Sequence, residues 1–481
     1  MNGKPTDPKQ AGARRGVRAA RLLARRGIST TARRTRKAIE REERLVSFAI
    51  RRDAGNLVAS GKLLALTLAS SAAMGVAAWV FLASLAWVTG MRESYPPLFL
   101  LLPAAGALTA WVYRRFGAGT ERGNNLVIES AVAGAHIPFR MAPLILGATL
   151  ATHLAGGSAG REGTAVQMGG TIASAVGERF GLGRRDHQTL VLTGISAAFG
   201  AAFGTPLAGT FFGLEMCYIG KLDYRAMLYC LIASFTGNAV TSALGIRHTF
   251  ETIAAIPQAT PRTIAVVVAC SILFGLVGWA FSKCVGVVKT FYARRFKSAV
   301  VATLVGSAVA CAFFVALGLQ RYGGLSEWMV SAGFSGATTL ADPVAKFAAT
   351  VLTLGSGLQG GEVTPLFGIG SSLGGWLAGF AGLDPSFLAA LGLIAVFGSA
   401  ANAPLTTIML GIDMFGGGGV MYFVVAAFVS YFTAGHHGLY HAQVIVTPKR
   451  RTLADEKDLT INQALSHYEK RAESVRDGSG E

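Results

Sequence analysis

Two glutamates in glycine-rich turns are the residues whose type and setting could do chemistry. Glu162 lies in GGSAGREGTAVQMGG (156–170), a turn that opens an apolar stretch. Glycines let backbone N–H groups converge there, and a helix N-terminus adds roughly half a positive charge, so Gly160, Arg161 and Gly163 make a cradle for a small anion. A carboxylate in that cradle imitates the anion. Ionised, it fills the site; protonated, it swings away, so one residue links anion and proton occupancy. Burial disfavours the charged form of a carboxylic acid, which brings protonation within physiological reach. The plainer alternative is a helix N-terminal acid that complements the dipole or pairs with Arg161.

Glu362 is the second such acid, in GGEVTPLF (360–367), with Val363, Thr364 and Pro365 opening the next apolar helix. An ionisable group at bilayer depth costs roughly 2.5–3.5 kcal/mol on insertion scales, so it needs a partner or a function. Two acids at equivalent places suggest a proton relay; the alternative is a capping acid facing a vestibule. Asn124 and Asn125 in RGNNLVIES (122–130) form a third Gly-led polar turn whose amides and N–H groups can donate to an anion, although Gly-Asn-Asn is also ordinary turn chemistry. Tyr440, in AGHHGLYHAQ (434–443), offers a phenol donor, against the commoner reading of an aromatic at a membrane interface.

The elements that position these residues are apolar helices. Of 481 residues 52% are hydrophobic and 15% charged, with 61 glycines, and mean hydropathy is +0.46. Segments 63–89, 97–113, 263–282, 299–318 and 420–433 carry little or no charge, and the longer ones reach the roughly 17–25 residues that cross a bilayer. Segments 142–155, 164–177, 345–358 and 363–381 are interrupted by Gly or polar residues. They read as broken helices, tolerated in hydrocarbon only where buried in protein or lining a wet cavity.

An internal repeat orders these elements. Residues 194–216, GISAAFGAAFGTPLAGTFFGLEM, align without gaps on 392–414, GLIAVFGSAANAPLTTIMLGIDM. The copies share Phe199/Phe397, Gly200/Gly398, Pro206/Pro404, Leu207/Leu405 and an acid-Met ending, Glu215-Met216 against Asp413-Met414. Upstream, GREGTAV (160–166) matches GGEVTPL (360–366). Two related halves with the site between them are a common transporter plan, although sequence does not say whether they are parallel or inverted.

The net charge of +18 is concentrated at the start: residues 1–52 hold 16 Lys and Arg against four acids. By the positive-inside rule this basic tail is cytoplasmic, near anionic lipid. No aromatic precedes Phe48, which argues against a nucleic-acid arm, and no short apolar region with a cleavage site follows, so the tail is expected to be retained. The five cysteines stand singly with no paired His, so neither disulfides nor a metal site is expected, and no cofactor is implied. Without HExxH or GxSxG beside the carboxylates, an enzyme is not expected. The division expected is a tail at 1–55, a transport domain at 56–445 with repeats at about 60–245 and 260–440, and a polar cytoplasmic tail at 446–481.

Together these segments resemble the CLC family of chloride channels and proton-coupled antiporters over roughly residues 60–445. The family pattern is a Gly-Ser-Gly-Ile-Pro loop, then GREGP, then GGxFxP, then a Tyr after the last span; here GREG at 160–163, APL at 403–405 and GGEVTP at 360–365 carry it. The resemblance implies an all-α polytopic membrane protein, an inverted repeat of tilted and broken helices, assembling as a homodimer in the inner or plasma membrane with both termini cytoplasmic. Asn124 stands where chloride-type members have Ser, Thr164 where they have Pro, and Glu362-Val363-Thr364 where they have Ile-Phe-Ala. Those substitutions resemble the fluoride/proton antiporter branch. On that resemblance Glu162 is the proton-carrying gate, Asn124 and Tyr440 flank the central anion site, and Glu362 with Thr364 selects fluoride and passes the proton. The alternative is a chloride channel or chloride/proton exchanger. Met216 stands where proton-coupled chloride members carry a second acid, so their cytoplasmic proton route is not carried over.

Overall fold

The computed structural model describes residues 58–467 together with Arg41; most of the expected basic tail and the last fourteen residues lie outside the described residues. The chain divides into two compact units, Met1–Leu64 and Ala65–Glu481. In the described residues the first unit holds the opening turns of helix α1 (Val58–Ser94), and the second holds the elements that build the site.

Those elements follow one another twice. In the first half α1 is followed by α2 (Leu102–Phe116), α3 (Asn124–Ala133), α4 (Met141–Leu154), α5 (Glu162–Arg179), α6 (Arg184–Phe203), α7 (Pro206–Glu215) and α8 (Met227–Ala243). The second half is α9 (Pro261–Arg295), α10 (Ala299–Ala316), α11 (Trp328–Phe334), α12 (Ala341–Gly355), α13 (Val363–Ala381), α14 (Pro385–Ala401), α15 (Pro404–Phe415) and α16 (Val420–Ala434). Each half opens on its longest helix, of 37 and 35 residues, and each has a short third and seventh helix. The repeat seen in sequence between 160 and 414 is therefore the better-preserved part of a duplication that covers the whole helical body.

Among the described residues, five helical segments are long and apolar enough to cross a membrane: Val58–Ser94, Pro96–Phe116, Pro261–Arg295, Ala299–Ala316 and Gly417–Ala434. They coincide with the five uncharged stretches of the sequence. At 1.5 Å per residue, α9 is about 50 Å long, more than the roughly 30 Å of hydrocarbon, so it must tilt or project. The interrupted segments form α4, α5, α12 and α13, which are short or rich in Gly, Ser and Thr and largely buried. This is the all-α, polytopic, broken-helix architecture expected.

Local sequence explains the breaks. α6 ends at Gly204 and α14 at Asn402, both left-handed, with φ of 74° and 57°. These are the residue types that tolerate that conformation. Pro206 and Pro404 then begin α7 and α15, where a missing N–H costs no helix bond.

The halves meet through equivalent residues. Phe199 and Phe397, aligned in the repeat, pack with ring centroids 6.1 Å apart at the centre of the core. The acids ending α7 and α15 exchange places. Glu215 accepts hydrogen bonds from the N–H groups of Leu405 (3.0 Å) and Thr406 (2.7 Å) and from the Thr406 hydroxyl (2.7 Å), while Asp413 accepts one from Ala208 N–H (2.9 Å). Each repeat thus satisfies the orphan donors at the other's helix N-terminus.

From 446 onward the expected polar tail is, through residue 467, part of the folded body. β2 (Val444–Ile445) pairs in parallel with β1 (Tyr218–Ile219). Ile445, Ile461 and Ala464 bury themselves with Ile219 and Tyr431. Ile461, Ala464 and Leu465, at helical i, i+3, i+4 spacing, supply that face.

Candidate functional site

The two glycine turns, two hundred residues apart in sequence, hydrogen-bond to each other. Gly160 N–H donates to Gly361 O (2.6 Å) and Gly361 N–H to Gly160 O (2.8 Å), an antiparallel bridge between the two repeats, one residue out of step with the sequence alignment that sets Gly160 against Gly360. No side chain fits there: a Cβ on Gly361 would lie 2.8 Å from Gly163 N and 2.9 Å from Glu162 N, and one on Gly160 would lie 2.7 Å from the Glu162 carboxylate.

The bridge sets α5 and α13 with their N-termini side by side, and Glu162 crosses between them. It begins α5 and is 1% exposed. Its carboxylate accepts from Thr364 N–H (3.1 Å), from the Thr364 hydroxyl in a short contact, and from Arg161 N–H (3.1 Å). The cradle that the glutamate occupies is thus completed by the N-terminus of the other repeat's helix. This is the pose a bound anion would take at a helix N-terminus.

Beside it the polar groups are less satisfied. Glu362 caps α13, and its Oε2 is shielded from solvent with no hydrogen-bond partner; the same is true of Asn124 Oδ1, at the start of α3. Both side chains converge on Gly163, where a Cβ would stand 3.1 Å from Asn124 Nδ2 and 3.4 Å from Glu362 Oε2. Native interiors rarely leave such atoms unpaired, and each one marks a place for a further polar species. Val363 and Thr364 are buried in the first turn of α13.

Tyr440 is 2% exposed and packs edge-on against Phe212, 6.3 Å between centroids. It lies within electrostatic reach of both Glu162 and Glu362. An interface anchor would be exposed to lipid headgroups, so that reading of Tyr440 gives way to a residue of the core. Asn125 does something different from its neighbour: its Oδ1 accepts from Ala442 N–H (3.0 Å), which fastens the Tyr440 loop to the start of α3.

Several residues that hold the site were not singled out in the sequence. His153, in α4, joins Thr149 O (2.9 Å) to Ala159 O (3.1 Å), next to Gly160. Ser158 meets Thr350 and Thr353 of α12 across the halves. The Thr149 and Thr164 hydroxyls pair at 2.6 Å. The available signal was polarity in the wrong place: histidine and threonines inside otherwise apolar helices must find partners.

With the geometry in place, comparison with known proteins decides the family. The family model for voltage gated chloride channels matches residues 105–435.

The chain belongs to that family, the CLC proteins.

A chloride/fluoride channel protein from Pseudomonas syringae pv. tomato is 38% identical over 390 residues, covering 79% of this chain and 86% of the relative. The crystal structure of a CLC-type fluoride/proton antiporter superposes with a TM-score of 0.77 at 35% identity, covering 80% of this chain and 98% of that one. The H(+)/Cl(-) exchange transporter ClcA of Salmonella agona is 27% identical and covers 71% of this chain and 78% of the relative. The CLC fold that the resemblance implies, an all-α polytopic membrane architecture, is the fold found.

Proposed function

We propose that this CLC protein is a fluoride/proton antiporter that exports fluoride in exchange for protons. The observation that carries the reading is the Glu162 carboxylate held by both donors of Thr364. Ionised, Glu162 occupies the anion's place. Protonated, it no longer attracts those donors as a charge does, and Thr364 N–H, the Thr364 hydroxyl and Arg161 N–H become available to an anion. Fluoride is small and tightly hydrated, so it needs several strong donors at short range to replace its water; a Gly-rich double helix N-terminus with an added hydroxyl supplies them.

In this reading Glu362, buried beside Glu162 with an unused oxygen, passes the proton and with Val363 and Thr364 selects the ion. Asn124 and Tyr440 flank the anion. Gly160 and Gly163 give the backbone its close approach, and Arg161 supplies positive charge at the mouth. Asn125 serves through the Tyr440 loop. The protein would work as a homodimer in the plasma or inner membrane, termini in the cytoplasm, with lipid and the transported ions as its partners.

A second reading, a chloride or fluoride channel or a chloride/proton exchanger, has the name of the 38% identical relative in its favour. Proteoliposomes loaded with fluoride or with chloride separate the two. The proposal expects fluoride efflux faster than chloride efflux and accompanied by proton uptake into the vesicles. Fluoride leaving without proton movement, or chloride leaving at least as fast, would move the protein to the second reading.

A further inference from the structure

A third acid faces the gate, in a loop that no sequence motif marks. Arg161 stands between two carboxylates: its Nε is 3.6 Å from Glu162 Oε1 and its Nη1 is 3.3 Å from Glu327 Oε1. Glu162 is buried and Glu327 is 61% exposed, so the guanidinium bridges the dry gate and the wet mouth. Its Nε has no hydrogen-bond partner, which leaves it free to follow whichever acid is ionised.

The loop that presents Glu327 is built rather than loose. Lys346 of α12, fully buried, donates to Tyr322 O (3.0 Å), Gly324 O (2.7 Å) and Ser326 Oγ (3.0 Å), using all three of its protons. Ser326 takes a left-handed φ of 55° to bring its hydroxyl there. Gly324 N–H then donates to Gly157 O (3.0 Å), in the turn that runs on to Arg161. A side chain at 327 is therefore held over the Glu162 turn by backbone that does not depend on its own identity.

We infer that Glu327 is a positioning residue for the gate, a surface counter-ion that competes with Glu162 for Arg161 and so sets the acidity at which Glu162 is released. This inference rests on the proposed proton-carrying role of Glu162. The other charged or titratable groups around the pair are few among the described residues. Arg92 of α1 lies against Gly324, Glu362 approaches Glu162 from the start of α13, Tyr440 lies within electrostatic reach of Glu162, and His248 packs on Gly204 within reach of Arg161. His248 is pushed down to about 4 by burial first and by Arg161 second, so it stays neutral where transport is measured.

Glu327→Gln removes one of the two charges that Arg161 serves. Arg161 then stabilises ionised Glu162 more fully, and more acid is needed to free it. The pH midpoint of proton-coupled fluoride flux should move to lower pH by about 0.3–0.7 unit, the size that partly exposed charges supply. Glu327→Lys should move it further the same way and Glu327→Asp should restore it. The shift should shrink when ionic strength is raised with an impermeant salt. A slower rate with an unmoved midpoint in Glu327→Gln, or equal shifts in the Gln and Asp variants, would overturn the inference while leaving the transport reading intact. A wild-type protein whose flux ignores pH would overturn both.

Discussion

Glu162 begins α5, yet Thr364, two hundred residues away in the first turn of α13, holds its carboxylate with both backbone N–H and side-chain hydroxyl. Neither repeat has a complete cradle; the site exists only where the two are joined back to back by the Gly160–Gly361 bridge. On the proposed reading, selectivity and proton coupling draw on one shared group of donors, and variants of either repeat should disturb both.

Thr364→Val keeps the N–H and removes the hydroxyl. A hydrogen bond to a charged group is worth about 1.5–3 kcal/mol, so the preference for fluoride over chloride should fall by about one order of magnitude or more, while proton movement stays coupled to whatever anion flows. Paired fluoride and chloride efflux traces with an external pH electrode check this; an unchanged flux ratio would show that the hydroxyl takes no part in selection.

Gly361→Ala places a methyl group within 3 Å of two backbone nitrogens of the opposite turn. Overpacking of this kind costs about 1–3 kcal/mol. The variant should melt at lower temperature in detergent and lose fluoride flux, whereas Gly379→Ala, with open space around it, should change neither. Scanning fluorimetry and flux on the same preparations provide the comparison.

Glu215→Gln tests the exchanged helix caps. The Gln amide keeps one acceptor oxygen but turns its NH2 donor toward either the Leu405 or the Thr406 N–H, which needs an acceptor, at a cost of about 2–3 kcal/mol. Melting temperature should drop, but the fluoride to chloride ratio should hold, because Glu215 touches none of the Glu162 partners. Loss of proton coupling with normal stability would instead make Glu215 part of the proton path.

His436 gives the C-terminal segment a pH sensitivity of its own. It accepts from Lys449 N–H (2.9 Å) through Nε2, so its single proton sits on Nδ1 and is donated to Glu456 in a short contact. Burial holds its pKa below the ordinary value. As pH falls through the usual histidine range near 6.5, the unfolded chain takes a proton that the folded one refuses, and stability is lost. Between pH 7.5 and 5.5 the wild type should therefore lose more melting temperature than His436→Asn, which carries no titrating ring.

Much of this fold was legible in composition and spacing. Uncharged runs and Pro206 against Pro404 marked the spans and the repeat, and the two Gly-Glu turns supplied the residues proposed for the site, because each is a local signal with a local cause. What could not be read was who reaches across. Glu162 on Thr364, Glu215 on Thr406 and Arg161 on Glu327 are contacts between segments far apart in sequence, and a carboxylate's partner depends on packing, not on its neighbours. Lys346 is the clearest case: a charge in an otherwise apolar stretch of helix, it looks like an interruption until the three oxygens around it are seen. In the 446–467 segment charge dominates the composition, although a few apolar residues decide where it packs.

The most direct test of the account is proton movement in fluoride-loaded proteoliposomes carrying wild type or Glu162→Gln. The Gln side chain keeps the size of the carboxyl and cannot carry a proton. The account predicts fluoride efflux with opposed proton flux for the wild type, and loss of proton flux in the variant, whether or not fluoride still leaks. Proton-coupled fluoride efflux that survives unchanged in Glu162→Gln would contradict it.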